Sequence, residues 1–167
     1  MHLVLFGCSG FIGRELVPYL LHGGHHLTII SRKSSKQPLQ INHKKQLNQI
    51  KLDPLEKTSW ANKDLLEALE KAEGVINLIG EPIAEKRWTE SHCKKLKASR
   101  IESTKLLVNT LRGLKRPPRT LLNASAIGFY GTSPYKEFTE NSPSGDDFLA
   151  ALCSAWEEEA AAKPNAT

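Results

Sequence analysis

Residues 3–15, LVLFGCSGFIGRE, constrain the fold more than any other stretch of this chain. The apolar run Leu3–Phe6 ends at Gly7, and Gly10 and Gly13 follow before a segment of helical character. Strand, tight glycine turn and helix N-terminus, in that order, make a seat for a dinucleotide pyrophosphate, because unpaired amides at a helix start point at the anion. Gly7 allows the turn, Gly10 lets backbone approach phosphate, and Gly13 lets the helix pack closely on the sheet. The spacing is G-x-x-G-x-x-G rather than the commoner G-x-G-x-x-G, and its weight comes from the strand-to-helix context. Without a ligand, the same residues are simply a glycine-rich βα turn.

The remaining chain alternates in the same way. Phe11–Leu21 reads as a helix bent by Pro18 and stopped by Gly23 and Gly24. Leu27–Ser31 reads as a second strand, Lys33–Lys45 as a polar loop and Asn48–Leu52 as a third strand. Asp64 and Glu67 resemble a capping box ahead of a short helix through Leu65, Leu66 and Leu69. Val75–Ile79, bounded by Gly74 and Gly80, is a fourth, buried strand. One long helix is expected over 89–112, with Ile101, Thr104, Leu107, Val108 and Leu111 as its apolar stripe and Gly113 as its stop. Thr120–Ala124 gives a fifth strand and Phe148–Ala162 a last helix. This pattern specifies an α/β fold: a doubly wound, Rossmann-type parallel sheet of order 3-2-1-4-5 with helices on both faces. With 167 residues, 40% of them hydrophobic, one domain is expected over 1–163, leaving 164–167 as a tail.

Charge and cysteines narrow the function. The net charge of +5 is spread along the chain, without the basic, aromatic-interleaved helix that marks a nucleic-acid binder. No stretch approaches the roughly 20 uncharged apolar residues of a membrane span. Cys8, Cys93 and Cys153 are too few and too scattered for a metal or disulfide framework, so a soluble cytoplasmic protein with reduced thiols is expected. Cys8, inside the glycine turn, is either accessible or a packing residue. At the end of the second strand, where a carboxylate would bind the adenosine ribose and select NAD, stand Ser31, Arg32 and Lys33. A hydroxyl and a forked cation suit a 2′-phosphate, so NADP is expected over NAD. The alternative is that Arg32, Lys33 and Lys36 only begin a solvated loop. Lys94, Lys95 and Lys97 read as a solvated helix face.

With these residues placed, seven segments form a larger pattern: GCSGFIG (7–13), IISRK (29–33), VINLIGEPI (75–83), KRWTE (86–90), SRIEST (99–104), ASAIGFYG (124–131) and DFLAALCSAWEEEA (147–160). Together they resemble the short-chain dehydrogenase/reductase superfamily. Within it they resemble the atypical, extended branch of nucleoside-diphosphate-sugar epimerase-like proteins, also labelled cell-division inhibitors. The resemblance implies pyrophosphate contacts at Gly7, Ser9, Gly10, Phe11, Ile12 and Gly13, and adenosine-phosphate contacts at Ser31 and Arg32. It implies that Leu78, Ile79 and Gly80 pass beneath the ribose and nicotinamide side, and that Ala124, Ser125 and Ala126 lie near the nicotinamide. Glu81 and Arg87 would project toward the active cleft, although Glu81 is equally a plain strand-end carboxylate. The helices at 89–112 and 148–162 match the pair through which relatives commonly form homodimers.

The chain departs from that pattern in two ways. The superfamily's chemistry uses a Tyr followed four residues later by Lys, helped by a strand-five Ser or Thr. Here Tyr19, Tyr130 and Tyr135 are followed at that spacing by Gly23, Pro134 and Thr139, and the aligned segment reads Phe148-Leu-Ala-Ala-Leu152. Ala126 stands where the hydroxyl is expected, one residue from Ser125. Catalytic residues are therefore unassigned, with Ser125, Glu81 and Arg87 as candidates, while the resemblance implies that Tyr130 belongs to a structural turn. Extended relatives are also about twice as long, so the resemblance covers their cofactor-binding half without the C-terminal substrate domain. An epimerase- or reductase-like enzyme acting on an unidentified small molecule and a non-catalytic NADP-binding sensor or assembly module both stand. Elsewhere the plain reading is preferred: His22, His25 and His26 near a helix C-terminal dipole, Glu157–Glu159 as a solvated face, and Trp88 and Trp156 as core anchors. Asp53 either caps a loop or sits near the adenine.

Overall fold

The computed structural model describes residues 1–32 and 45–162. Most of the expected loop at 33–45, and with it Lys33 and Lys36, lies outside the described residues, as does the tail at 164–167. Five short strands form one parallel sheet: β1 (His2–Phe6), β2 (His26–Ser31), β3 (Leu47–Lys51), β4 (Gly74–Asn77) and β5 (Thr120–Asn123). Their order is β3-β2-β1-β4-β5, as the alternating sequence pattern requires.

Because successive side chains on a strand face opposite ways, β1 feeds two cores at once. Val4 and Phe6, with Ile30 and Val75, meet Leu65 and Leu69 of helix α2 (Lys63–Lys71) and Leu107 and Leu111 of helix α4 (Ser103–Gly113). Leu3 and Leu5, with Leu27 and Ile29, meet Val17 and Leu21 of helix α1 (Phe11–His22) on the other face. Helix α3 (Glu90–Lys97) precedes α4, and helix α5 (Phe148–Ala161) packs beside it. Phe6 is fully buried and stacks on Trp60, with ring centres 5.6 Å apart. Trp60 belongs to a 3₁₀ turn, Lys57–Ala61, that local periodicity does not reveal.

Three expected elements change. The helix expected over 89–112 is broken: residues Ala98–Glu102 form a π-helical turn between α3 and α4. Ser103 fits this wide turn by donating its hydroxyl to Ser99 O at 2.7 Å. The cap of α2 is Asn62, whose Oδ1 accepts from Leu65 N at 3.0 Å, and Glu67 pairs with Lys71 instead of closing a capping box with Asp64. Finally β4 ends at Asn77 rather than Ile79, because the Asn77 side chain takes over the hydrogen bonding that a continued strand would supply.

Truncating Phe6 to Ala empties the centre of one core and is expected to cost about 3–5 kcal/mol, read as a lower urea midpoint. Acid sensitivity is expected at the opposite end of β1. His2 shares a hydrogen bond with Thr28 Oγ1 at 3.0 Å, and burial, then His26 and Lys71, hold its pKa below the ordinary histidine value. The folded state therefore favours the neutral ring, and the unfolded chain takes up the proton first. Stability from this residue is present above about pH 6.5 and is lost as pH falls through and below that value. Melting temperature should drop between about pH 7.5 and about pH 5.5, and less steeply in His2→Gln.

Candidate functional site

The sheet register brings the expected residues into one row. Phe6 pairs with Ile30 on one side and Asn77 on the other, and Asn77 pairs with Asn123. The next residues, Ser31, Gly7, Leu78 and Ala124, therefore leave the sheet side by side at its carboxyl edge. Three inter-strand gaps make that row about 14 Å long. The order of strands reverses between β1 and β4, so this edge is the topological switch point where open α/β sheets accept ligands.

The three glycines of the first turn are there for three different reasons. Gly7 has φ of 75°, and a Cβ on it would lie 2.5 Å from the Leu78 carbonyl. Gly13 is buried, and its Cβ would lie 2.3 Å from Cys8 Cα. Gly10 caps α1 in extended conformation, and its Cβ would come no nearer than 3.7 Å to any atom, Gly7 O. Its open side faces no protein. No side chain caps the start of α1 and no acidic residue sits in its first turn, so the helix-start amides and their partial positive charge are presented outward. Ser9, Gly10, Phe11 and Ile12 are exposed there, Phe11 by 90%. This cradle fits a diphosphate in shape and sign. Cys8, by contrast, is buried beneath the turn, and burial pushes its thiol up to about 12, which makes it a packing residue.

At the end of β2, Ser31 is half-buried and its carbonyl accepts from Leu52 N at 3.1 Å, while Arg32 is exposed. Lys33 lies outside the described residues. Asp53 caps its own loop, accepting from Leu55 N at 3.0 Å.

The ends of β4 and β5 are joined by buried amide and hydroxyl groups. Asn77 Nδ2 donates to Asn123 Oδ1 at 2.7 Å and to Thr104 Oγ1 at 3.0 Å, and Trp156 Nε1 donates to the same hydroxyl at 2.9 Å. Asn77 Oδ1 accepts from Ile79 N at 3.3 Å and so shapes the Leu78–Ile79 turn. Ala124 N–H still reaches Asn77 O at 2.9 Å. Glu81 is half-buried and its carboxylate lies 3.6 Å from Lys86 Nζ, whereas Arg87 is exposed.

Sequence patterns missed one pairing. Ser125 Oγ donates to Glu157 Oε1 of α5, so Glu157 is more than a solvated face. The two lie 32 residues apart, and no local signal links them. Ala126 opens a 3₁₀ turn (Ile127–Tyr130), and its N–H faces Cys153, whose thiol is raised by burial and then by Glu157. Tyr130 stacks on Phe138 with centres 5.8 Å apart, as a structural turn residue would. Trp156 is a buried anchor, but Trp88 is half-exposed, resting edge-on against Phe148 and donating to Ile83 O at 2.8 Å. Among the described residues no group of three His, Cys, Asp or Glu could hold a metal ion, and no helix is long and apolar enough to cross a membrane.

A family model described as the NAD dependent epimerase/dehydratase family matches residues 3–149. The chain belongs to that family. As an epimerase-family NAD(P)-binding Rossmann unit, it is 36% identical to the chloroplastic SDR39U1 homolog of Arabidopsis thaliana, over 94% of this chain and 43% of that protein. It is 34% identical to the epimerase family protein YfhF of Bacillus subtilis, over 95% of this chain and 49% of that one. The chain thus spans about half the length of the curated relatives it matches. The crystal structure of human epimerase family protein SDR39U1 with NADPH superposes with a TM-score of 0.74 at 29% identity, covering 96% of this chain and 48% of that one.

The glycine geometry makes a graded prediction. Gly13→Ala forces α1 away from Cys8 and should lower the melting temperature by several degrees, at a cost of about 1–3 kcal/mol. Gly10→Ala should melt within about two degrees of wild type, since extended backbone and open space accommodate the methyl. Thermal melts of the two variants compare them directly.

Proposed function

We propose that this region binds NADP and forms the cofactor-holding unit of an epimerase- or reductase-type protein that works without the Tyr-x-x-x-Lys pair. The cradle at Gly10 carries the reading: an outward-facing helix start, uncapped and free of acid, between two glycines fixed by close backbone contacts. The helix-start amides of Phe11, Ile12 and Gly13 would hold the diphosphate, with Ser9 and Gly10 lining the cradle, the Gly10 N–H donating to Gly7 O at 3.4 Å, and Gly7 shaping the turn. Ser31 and Arg32, with Lys33 assigned from sequence alone, would take the 2′-phosphate. The NADPH named with the human structural relative supports NADP over NAD. Leu78, Ile79 and Gly80 would run beneath the ribose and nicotinamide side, and Ala124 and Ser125 would lie near the nicotinamide ring.

Bound there, the cofactor supplies a hydride donor or acceptor. The chain offers Ser125, tied to the Glu157 carboxylate, to hold a substrate oxygen at the end of β5. Glu81 and Arg87 remain candidates nearer the mouth. The second reading, a non-catalytic NADP-binding module, draws on the missing Tyr and Lys.

Titration with NADPH and NADH, followed by nicotinamide fluorescence, tests the cofactor. NADPH should bind more tightly, and Arg32→Ala should weaken NADPH by about tenfold or more while leaving NADH unchanged, because a forked charge-assisted contact is removed. Equal affinities in the wild type would overturn the choice of NADP, and absence of binding would overturn the function. Loss of NADPH absorbance with carbonyl substrates, or interconversion of sugar-nucleotide epimers with the cofactor regenerated, separates an enzyme from a binding module, which would show neither.

A further inference from the structure

The loop that follows β4 is gripped by consecutive residues of the π turn, and neither has a role so far. Glu81 N donates to Ser99 Oγ at 2.9 Å, and Arg100 Nη1 donates to Glu81 O at 3.1 Å. Both backbone groups of Glu81 are thus taken by neighbouring side chains from one turn of helix. Ser99 is itself fixed, donating to Leu96 O at 3.1 Å.

Arg100 also packs against Gly80. A Cβ on Gly80 would lie 2.9 Å from Arg100 Nη2 and 3.0 Å from Cζ, so the guanidinium plane occupies the place of a side chain. The guanidinium also lies over the Trp156 ring, its carbon 5.3 Å from the ring centre. The cation is half-buried between loop and indole, and burial lowers its pKa from the ordinary arginine value. Among the described residues it has no carboxylate within salt-bridge distance. Desolvation of that charge works against stability, and the Glu81 carboxylate and the Trp156 face offset part of it. What the planar fork adds is direction: it fixes one carbonyl and one glycine face together.

That loop sits where the fold makes position matter. If the adenosine end lies toward β2, the other half of the dinucleotide runs across the switch point to β4 and β5. A π turn within a helix is also a recurrent device at functional sites. We propose that Ser99 and Arg100 are positioning residues that lock the Gly80–Glu81 backbone in the shape that receives the nicotinamide half of NADP. The same grip sets the Glu81 carboxylate at the mouth of the site. This inference rests on the NADP-binding reading.

The test uses Arg100→Met and Ser99→Ala, with two ligands and one ligand-free readout. NADPH is compared with 2′-phospho-ADP, which keeps the adenosine and diphosphate anchors and lacks the nicotinamide and its ribose. Amide hydrogen exchange at Glu81 is followed without ligand. Both variants should speed Glu81 exchange and weaken NADPH by about tenfold, while 2′-phospho-ADP changes by less than about twofold. Ser99→Ala removes one hydroxyl and stays informative should Arg100→Met fail to fold. Unchanged Glu81 exchange, or equal weakening of both ligands alongside a lower melting temperature, would overturn the positioning role. Wild-type protein that bound neither ligand would instead overturn the NADP reading, and the exchange rates would still report whether the clamp holds the loop.

Discussion

Gly7 lies against the backbone of Leu78 with no space for even a methyl group between them. This approach joins the turn after β1 to the loop after β4, the two strands between which the winding of the sheet reverses. It closes the floor of the crevice with backbone alone. Gly13 against Cys8 then draws α1 down onto the sheet, so the helix start arrives at a fixed height above that floor. Gly10 is left as the one glycine of the three whose open side faces no protein. Shape and electrostatics at the site both descend from these two contacts.

A second layer of order lies just below. Asn77 is fully buried, yet it serves Asn123, Thr104 and the Ile79 amide at once, and Trp156 completes the set from α5. Buried amides of this kind cost free energy if a partner is lost, and when all are satisfied they favour a single arrangement. Here they tie the ends of two strands to two helices. The loops that leave those strands, toward Gly80 and toward Ser125, therefore start from a common rigid base.

Much of this was legible from local sequence. Leu3–Phe6 with its glycines fixed the first strand, turn and helix, because each residue acts on its immediate neighbours. Strand order followed from alternation and handedness. What stayed hidden depended on partners far along the chain. No local signal shows that Arg100, twenty residues later, packs against Gly80. Glu157 reads as solvated until β5 brings Ser125 to it. The break at Ala98–Glu102 leaves no mark on the apolar stripe, since Ser99 and Ser103 are compatible with an ordinary helix. Asn62, two residues ahead of the expected Asp64, is the cap because its side-chain oxygen reaches Leu65 N.

The wide turn at Ala98–Glu102 also says something about how such a chain can change over generations. A π turn closes its rings through one residue more than an α turn does. The extra residue is absorbed within that one turn, so deleting it would restore a regular helix and leave the faces of α3 nearly where they are. The lysine-bearing flank of α3 would keep its direction, and what would be lost is the wide turn from which Ser99 and Arg100 hold Glu81. One codon thus separates a plain helix from one that carries a grip on the rim of the crevice.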